Sequence, residues 1–455
     1  MKKIIRSNKW LFSLSAVALV LFGTLALTAA RSRGTYSAHE WGTFTSVQGT
    51  DGVLLDWRPL QSSRLPGFVY NWAQPGLNRR SAAPMALTKA AITTLQRMET
   101  PVIYFYSDEE QSVDVSVQFP QGTITEWYPQ AAQIGPSVTA VPPAVAKLDE
   151  YAHKVGARRG FTFASLFGDK NVKDSKVRWA NVRLLPARSH EDVTASLPAD
   201  RSGSHYFAAR ETDADFVRIG SLVATNPSPE QEKFLFYRGV GNFATPLKVT
   251  MKNPEEVVLA NTGKEPLQHL FLLGLENQSG GFVEVDQLAA GEQRTVRVSL
   301  RDSALSQLVP KLSAAVAKSL VQEGLFEKEA TAMVNTWKDS WFAEDGLRVL
   351  YTLPRQWTDR VLPLTLDPAP RNLVRVMVGR AEVLTSAVQQ NLSDALTRAE
   401  TGDTVARAEA VAQLRKLGRF SEPALKLAMK QLKPDRTQVA WTLFQEASRP
   451  ATKPL

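Results

Sequence analysis

The spacing of the apolar residues changes from a strand period to a helical one near Ser303, and that change constrains the fold more than any other feature. Between His39 and about Gly241, short apolar or alternating runs stand between turn residues. Pro101-Val102-Ile103-Tyr104-Phe105-Tyr106 is followed by Val113, Val115, Val117 and Phe119, then by Ile124 to Tyr128. Period two is the signature of strands, and the spacing predicts neighbouring antiparallel strands with one buried face. Residues 245–301 add runs near Val249, Val257 to Leu259, Leu270 to Leu275, Phe282 to Val285 and Val296 to Leu300. Asn261-Thr262-Gly263, Ser279-Gly280-Gly281 and Ala290-Gly291-Glu292 separate them, at the spacing of a small Ig-like β-sandwich.

Beyond Ser303 the period is helical. Leu305, Leu308, Leu312, Val316 and Leu320 fall on one face of a helix that Gly324 ends and Pro310 is expected to kink. A second helix carries Ala330, Met333, Val334, Trp337 and Trp341 and closes by Gly346, with the two tryptophans four apart as core packing. Strand-like runs return over 347–383. From Ser386, short helices with Ser or Asp at their starts and Gly402 and Gly418 as stops resemble a helical-repeat fragment. The expected fold is therefore α+β and multidomain: a β-rich region over 39–241, the sandwich over 245–301, a mixed helix and strand unit over 303–383, and a helical segment over 384–449.

Lys2, Lys3, Arg6 and Lys9 precede an uncharged, mostly apolar run of 21 residues from Trp10 to Ala30. At 1.5 Å per helical residue the run spans about 31 Å, enough for a hydrocarbon core of roughly 30 Å. Its length fits both a cleaved export signal and a retained anchor. Thr28-Ala29-Ala30, followed by Arg31 and Arg33, favours cleavage. The expected location is periplasmic or secreted, or at the membrane through residues 10–30 if the segment stays. The chain has no cysteine, which excludes disulfides, thiolate metal sites and cysteine nucleophiles. Of the formal charge of +9, the first thirty residues carry +4, and the remaining +5 includes no polybasic block, so no nucleic-acid partner is expected.

HExxH, GxSxG and GxxxxGK[ST] are all absent. Gly239-Val240-Gly241-Asn242-Phe243-Ala244 matches a relaxed dinucleotide fingerprint, but Thr245-Pro246 stands where a long helix would run. No nucleotide or dinucleotide cofactor is expected, and the glycines are read as a tight turn. Of five histidines, His39 lies beside Glu40 and His205 shortly precedes Glu211 and Asp213. If the fold joins these stretches, His39, Glu40, His205, Glu211 and Asp213 are candidates for acid and base work, and His39, His205 and Glu211 for a divalent metal. The competing reading has the carboxylates in ion pairs with Arg210 and Arg238. Glu40-Trp41, Asp56-Trp57 and Glu126-Trp127-Tyr128 set flat rings beside acids, a pairing that suits sugar binding, and the binding candidates are Trp41, Trp57, Trp127, Tyr128, Arg210 and Arg238. Period two, burying the ring and exposing the acid, is the simpler account.

The strings HEWGTFTS at 39–46, METPVIYFYS at 98–107, ITEWYP at 124–129, SHYFAARETDA at 204–214 and FLFYRGVG at 234–241 resemble a family of exported bacterial proteins without an assigned reaction. WKDSWFAEDGLRVLY at 337–351 and LGRFSEP at 417–423 extend the resemblance over nearly the whole mature chain. It implies export and brings no catalytic residue or cofactor with it.

Two readings of function follow. The first is a non-enzymatic envelope protein, a binding or structural module for a polysaccharide or a protein partner. The alternative is an extracytoplasmic hydrolase, metal-dependent or glycan-directed, built on the His39/Glu40 and His205/Glu211 segments.

Overall fold

The computed structural model describes residues 35–60, 65–71, 92–135, 173–200, 203–220, 228–400, 403–430 and 437–448. Residues 10–30, read above as an export segment, and His153 lie outside the described residues. None of the described helices is long and apolar enough to cross a membrane.

The described residues form a mixed α+β structure, rich in strands, with large sheets and seven α-helices. In chain order the strands are β1 Tyr36–Gln48, β2 Tyr70–Asn71, β3 Gln96–Ser107, β4 Gln111–Phe119, β5 Gly122–Tyr128, β6 Gln133–Gly135, β7 Ser175–Leu185, β8 Phe216–Ile219, β9 Glu230–Glu232 and β10 Leu235–Gly241. They continue as β11 Leu247–Asn253, β12 Glu256–Asn261, β13 Leu267–Glu276, β14 Ser279–Leu288, β15 Gln293–Arg297, β16 Ser303–Ala304, β17 Gly346–Leu353, β18 Leu364–Asp367 and β19 Asn372–Val383. The helices are α1 Leu305–Gln322, α2 Glu327–Phe342, α3 Arg355–Val361, α4 Ser386–Glu400, α5 Thr404–Leu417, α6 Ser421–Met429 and α7 Thr437–Ala447.

A ten-stranded sheet, ordered β16-β14-β13-β17-β19-β1-β3-β10-β5-β2, organises the chain. It draws strands from 39–241, from 245–301 and from 303–383, so it crosses the boundaries suggested near 241 and 301. β1 lies near its middle, parallel to β19 and antiparallel to β3, and is buried along almost its whole length. β4 alternates as expected, with Val113, Val115, Val117 and Phe119 buried, but it leaves the plane of β3 and β5. It pairs with β18 and β7 in a second sheet, while β10 fills the place between β3 and β5. The expectation of three neighbouring strands is corrected accordingly: short turns connect these strands, but long-range pairing chooses their neighbours. β11, β12 and β15 make a third sheet, while β13 and β14 of the same segment join the large one.

Each face of the large sheet is covered. Ala38, Phe44, Ile103 and Ile124 point into a core shared with the two smaller sheets, whereas Trp41, Val102, Tyr104 and Val376 point into one closed by α1, α2 and a short 3-10 helix, His205–Arg210. Leu308, Leu312, Val316 and Leu320 of α1 and Ala330, Met333, Trp337 and Trp341 of α2 are buried, as their period requires, and the two tryptophan rings stack 6.3 Å apart. Pro310 lies inside α1. The four C-terminal helices pack around their own core, which Val47, Trp57 and Leu384 join from the sheet side.

Gly239 and Gly241 sit within β10, so the reading of a tight turn is also corrected. The register of β10 shifts at Gly239 against both neighbours, and a Cβ there would stand 2.2 Å from the Thr123 carbonyl oxygen. A bulge that brings two backbones this close requires glycine.

Candidate functional site

Helix α2 meets His39, His205, Glu211 and Asp213, though not in one site. It begins after Phe326, and its third residue, Glu329, reaches back so that Oε2 accepts the Phe326 backbone N–H at 2.7 Å. This is the position where a glutamate satisfies an unpaired helix-start amide. The same fully buried carboxylate lies 2.8 Å from His39 Nδ1 and accepts the Tyr106 hydroxyl at 2.8 Å. The His39 ring packs 4.6 Å from Phe326 and 5.2 Å from Tyr106. Burial, then the adjacent Glu329 charge, pushes the Tyr106 phenol well above its usual range, so it stays a donor.

Glu40 takes no part in this. Neighbouring residues on a strand face opposite ways, and Glu40 lies fully buried on the other side, bonded to Arg375 Nε and the Tyr237 hydroxyl. Arg375 also reaches Asp359 Oδ1 at 2.7 Å and the Leu362 carbonyl at 2.7 Å. His205 is exposed, its ring 5.0 Å from Trp337. Exposed Glu211 accepts from Asn335 at 3.1 Å, and exposed Asp213 from Lys328 at 2.6 Å. The α2 partners of His39 and His205 are eight residues apart, roughly 12 Å along the helix axis. Zinc ligands must reach within about 2 Å of one point. Among the described residues, no group of three or more histidine or acidic side chains is placed to hold a metal ion.

The aromatic candidates are core residues. Trp41, Trp57 and Trp127 are completely buried and Tyr128 nearly so, with Phe68 4.8 Å from its ring. Only exposed Asp56 beside buried Trp57 follows the simple alternation, since Glu40 and Glu126 are buried as well. Arg210 forks onto Glu232 at 2.9 and 2.6 Å, and Arg238 Nε donates to Glu126 at 2.8 Å.

What the sequence did not single out is the cleft in front of Glu329. It has a volume of about 1000 Å³, and Phe326 and Tyr106 line it. Phe326 is 50% exposed although three neighbouring groups fix its backbone and ring. Arg188, Lys233, Lys328 and Arg371 border the cleft together with Asp108, Asp213, Asp215 and Glu327. Asp215 accepts the Ser107 and Ala187 amides at 2.6 and 2.9 Å; burial raises its pKa despite both. Burial likewise lowers that of Lys233, which donates to the Thr212 carbonyl at 2.7 Å. The one available signal was Glu329 itself, three residues after the start of an amphipathic helix.

A second feature is a lattice of buried charge at the other end of β1. Glu99 accepts from Thr45 Oγ1 at 2.8 Å and Arg419 Nη1 at 2.7 Å, with Arg97 Nε 3.9 Å away. Glu382 receives Arg348 at 3.0 Å and Arg380 at 2.8 Å, and Arg380 also donates to Glu344 at 2.8 Å. Burial alone raises the Glu99 pKa; Arg419, Arg97, the Thr45 hydroxyl and Arg380 reverse this and hold it at about 2. Arg97, desolvated and facing Arg238 and Arg419, falls to about 9 even beside Glu99.

No family model and no curated protein matches this sequence. Among solved structures the chain is similar to the Fcho1 Mu homology domain of Danio Rerio with bound Eps15 peptide, at 8% identity and a TM-score of 0.29. It is also similar to the yeast delta-COP-I mu-homology domain, complexed with a Dsl1 WxWxV peptide (5% identity, TM-score 0.25) and alone (6%, 0.25). Each likeness covers 78% of this chain and 99% of the other. At such scores it says nothing about what this chain does.

Proposed function

We propose that this is an exported binding protein that takes an extended, polar peptide segment of a partner protein into the cleft at the start of α2. The observation that carries the reading is the half-exposed Phe326 ring, pinned at the edge of a cleft of about 1000 Å³ with charges of both signs along its walls. A fixed aromatic ring supplies contact area at low entropic cost. Acids and bases interspersed around it complement a chain carrying both signs, whereas a neutral glycan gains little from them.

The hydrolase alternative has less support. His39 is engaged by Glu329, Glu40 faces the opposite core, and Glu211 and Asp213 are each bonded to α2.

Panning a phage-displayed peptide library on purified residues 31–455 tests the proposal, with Phe326→Ala and Lys328→Glu as counter-selections. Enriched peptides should carry both charge signs and an apolar anchor, and should lose at least tenfold in affinity on Phe326→Ala. No enrichment, or peptides that bind Phe326→Ala as well as the parent, would reject the peptide reading and turn attention to envelope glycan.

A further inference from the structure

The chain enters the fold at the rim of the cleft itself. Thr35 and Ser37 line it, and Thr35 is fixed from two sides: Arg371 Nη2 donates to its carbonyl at 2.9 Å and Gln111 Nε2 to its hydroxyl at 3.0 Å. Whatever precedes Thr35 therefore leaves from the cleft wall. β1 is antiparallel to β3 with Tyr36 opposite Ser107, so the chain before Tyr36 passes the residues after Ser107. Those are Asp108, Glu109 and Glu110, three acids in a row on the turn between β3 and β4.

The charges on this rim are unevenly matched. Glu110 is engaged by Arg183 at 2.6 Å and His190 at 2.9 Å, Asp213 by Lys328 at 2.6 Å, and Asp215 by two backbone amides. Asp108, Glu109 and Glu327 are exposed, and their carboxylates have no hydrogen bond or ion pair among the described residues. The four residues immediately before Thr35 are Arg31-Ser32-Arg33-Gly34. They bring two guanidiniums and no acid, and each guanidinium can take a carboxylate through two donors. Fully extended, they reach about 14 Å, and a cleft of about 1000 Å³ is roughly 10 Å across.

We propose that residues 31–34 lie over the mouth of the cleft as a tethered plug, with Arg31 and Arg33 on Asp108, Glu109 and Glu327, and that a partner segment enters by displacing them. As regulation of the peptide site the plug rests on the peptide reading; its occupancy of the cleft does not. A short tether keeps its end at about 1 mM, so a contact with a Kd of about 0.1 mM fills the cleft about nine-tenths of the time and weakens a competing peptide about tenfold. Removal of residues 10–30, expected from the sequence, adds an α-ammonium to the same end.

The chain has no cysteine, so Ser32→Cys in residues 31–455 carries a single nitroxide label. Electron paramagnetic resonance, with no partner present, should show a slowed label, and Arg31→Gln with Arg33→Gln in the same chain should free it. Both changes precede β1, so the melting temperature should stay that of the parent chain. In a second readout, a fluorescein-labelled peptide of residues 31–36 added in trans should bind the Arg31→Gln, Arg33→Gln chain about tenfold more tightly than the parent, measured by fluorescence anisotropy. A freely tumbling label in the parent, a slowed label that survives both neutralisations, or equal peptide binding by the two chains would each overturn the plug. Because the label is read without a partner, a failed library panning counts against the peptide reading alone.

Discussion

Removing Glu329 should do more damage than its place in the first turn of a helix suggests. The carboxylate is fully buried and serves the Phe326 amide, the Tyr106 hydroxyl and the His39 ring at once. Glu329→Ala leaves those three groups without their acceptor and opens a small void. Each unsatisfied buried group costs about 1–3 kcal/mol. Water entering from the adjacent cleft recovers part of that, so the net loss should be about 3–5 kcal/mol. Glu329→Gln keeps the shape and one acceptor oxygen, and a rotated Tyr106 hydroxyl can accept from the new amide, so it should cost about 1–2 kcal/mol. Urea denaturation followed by circular dichroism measures both. For a chain of this size the alanine variant corresponds to a melting shift of about 5 °C. A loss below about 1 kcal/mol for Glu329→Ala, or equal losses for the two variants, would refute the claim that this carboxylate holds the cleft wall.

Three further outcomes are expected. Glu40→Gln and Arg375→Met should each cost about 3–5 kcal/mol, because each strands a buried partner, and the double variant should cost clearly less than their sum in a denaturation cycle. Glu99, held at about 2 against 4.5 when unfolded, contributes about 3 kcal/mol above pH 4.5, and this contribution disappears as the pH falls toward 2. The stability gap between the parent chain and Glu99→Gln should therefore close over that interval, and a gap that stays constant would contradict the assignment. Gly239→Ala should disrupt the pairing of β10 with β5, since the new Cβ meets backbone and not a movable side chain; loss of soluble expression or of cooperative melting checks this.

Helical faces were legible in the sequence because they are local. Leu308, Leu312, Val316 and Leu320 share a face whatever α1 packs against, and the same holds for Met333, Trp337 and Trp341. The alternation of β4 was equally plain, but period two says which side is buried and not which strand lies alongside. The partner of β1 is β19, with Glu40 opposite Arg375, more than three hundred residues away. No short-range pattern carries that pairing, nor the way one sheet draws strands from both sides of 241 and 301.

The candidate residues do not converge, for a reason that strand geometry makes specific. His39 and Glu40 drew attention as adjacent polar residues, yet once they lie on a strand adjacency sets them on opposite faces, so they cannot act on one group. The acid that serves His39 comes from α2, 290 positions away, and Glu211 and Asp213 are likewise bound by residues of that helix. The polar residues at 39, 211 and 213 thus each meet the same helix, through Glu329, Asn335 and Lys328. Each fixes a different point along α2, and together with Glu329 they hold its first turn where Phe326 faces the cleft. On this reasoning, changes at these positions should alter what the cleft holds through the placement of Phe326.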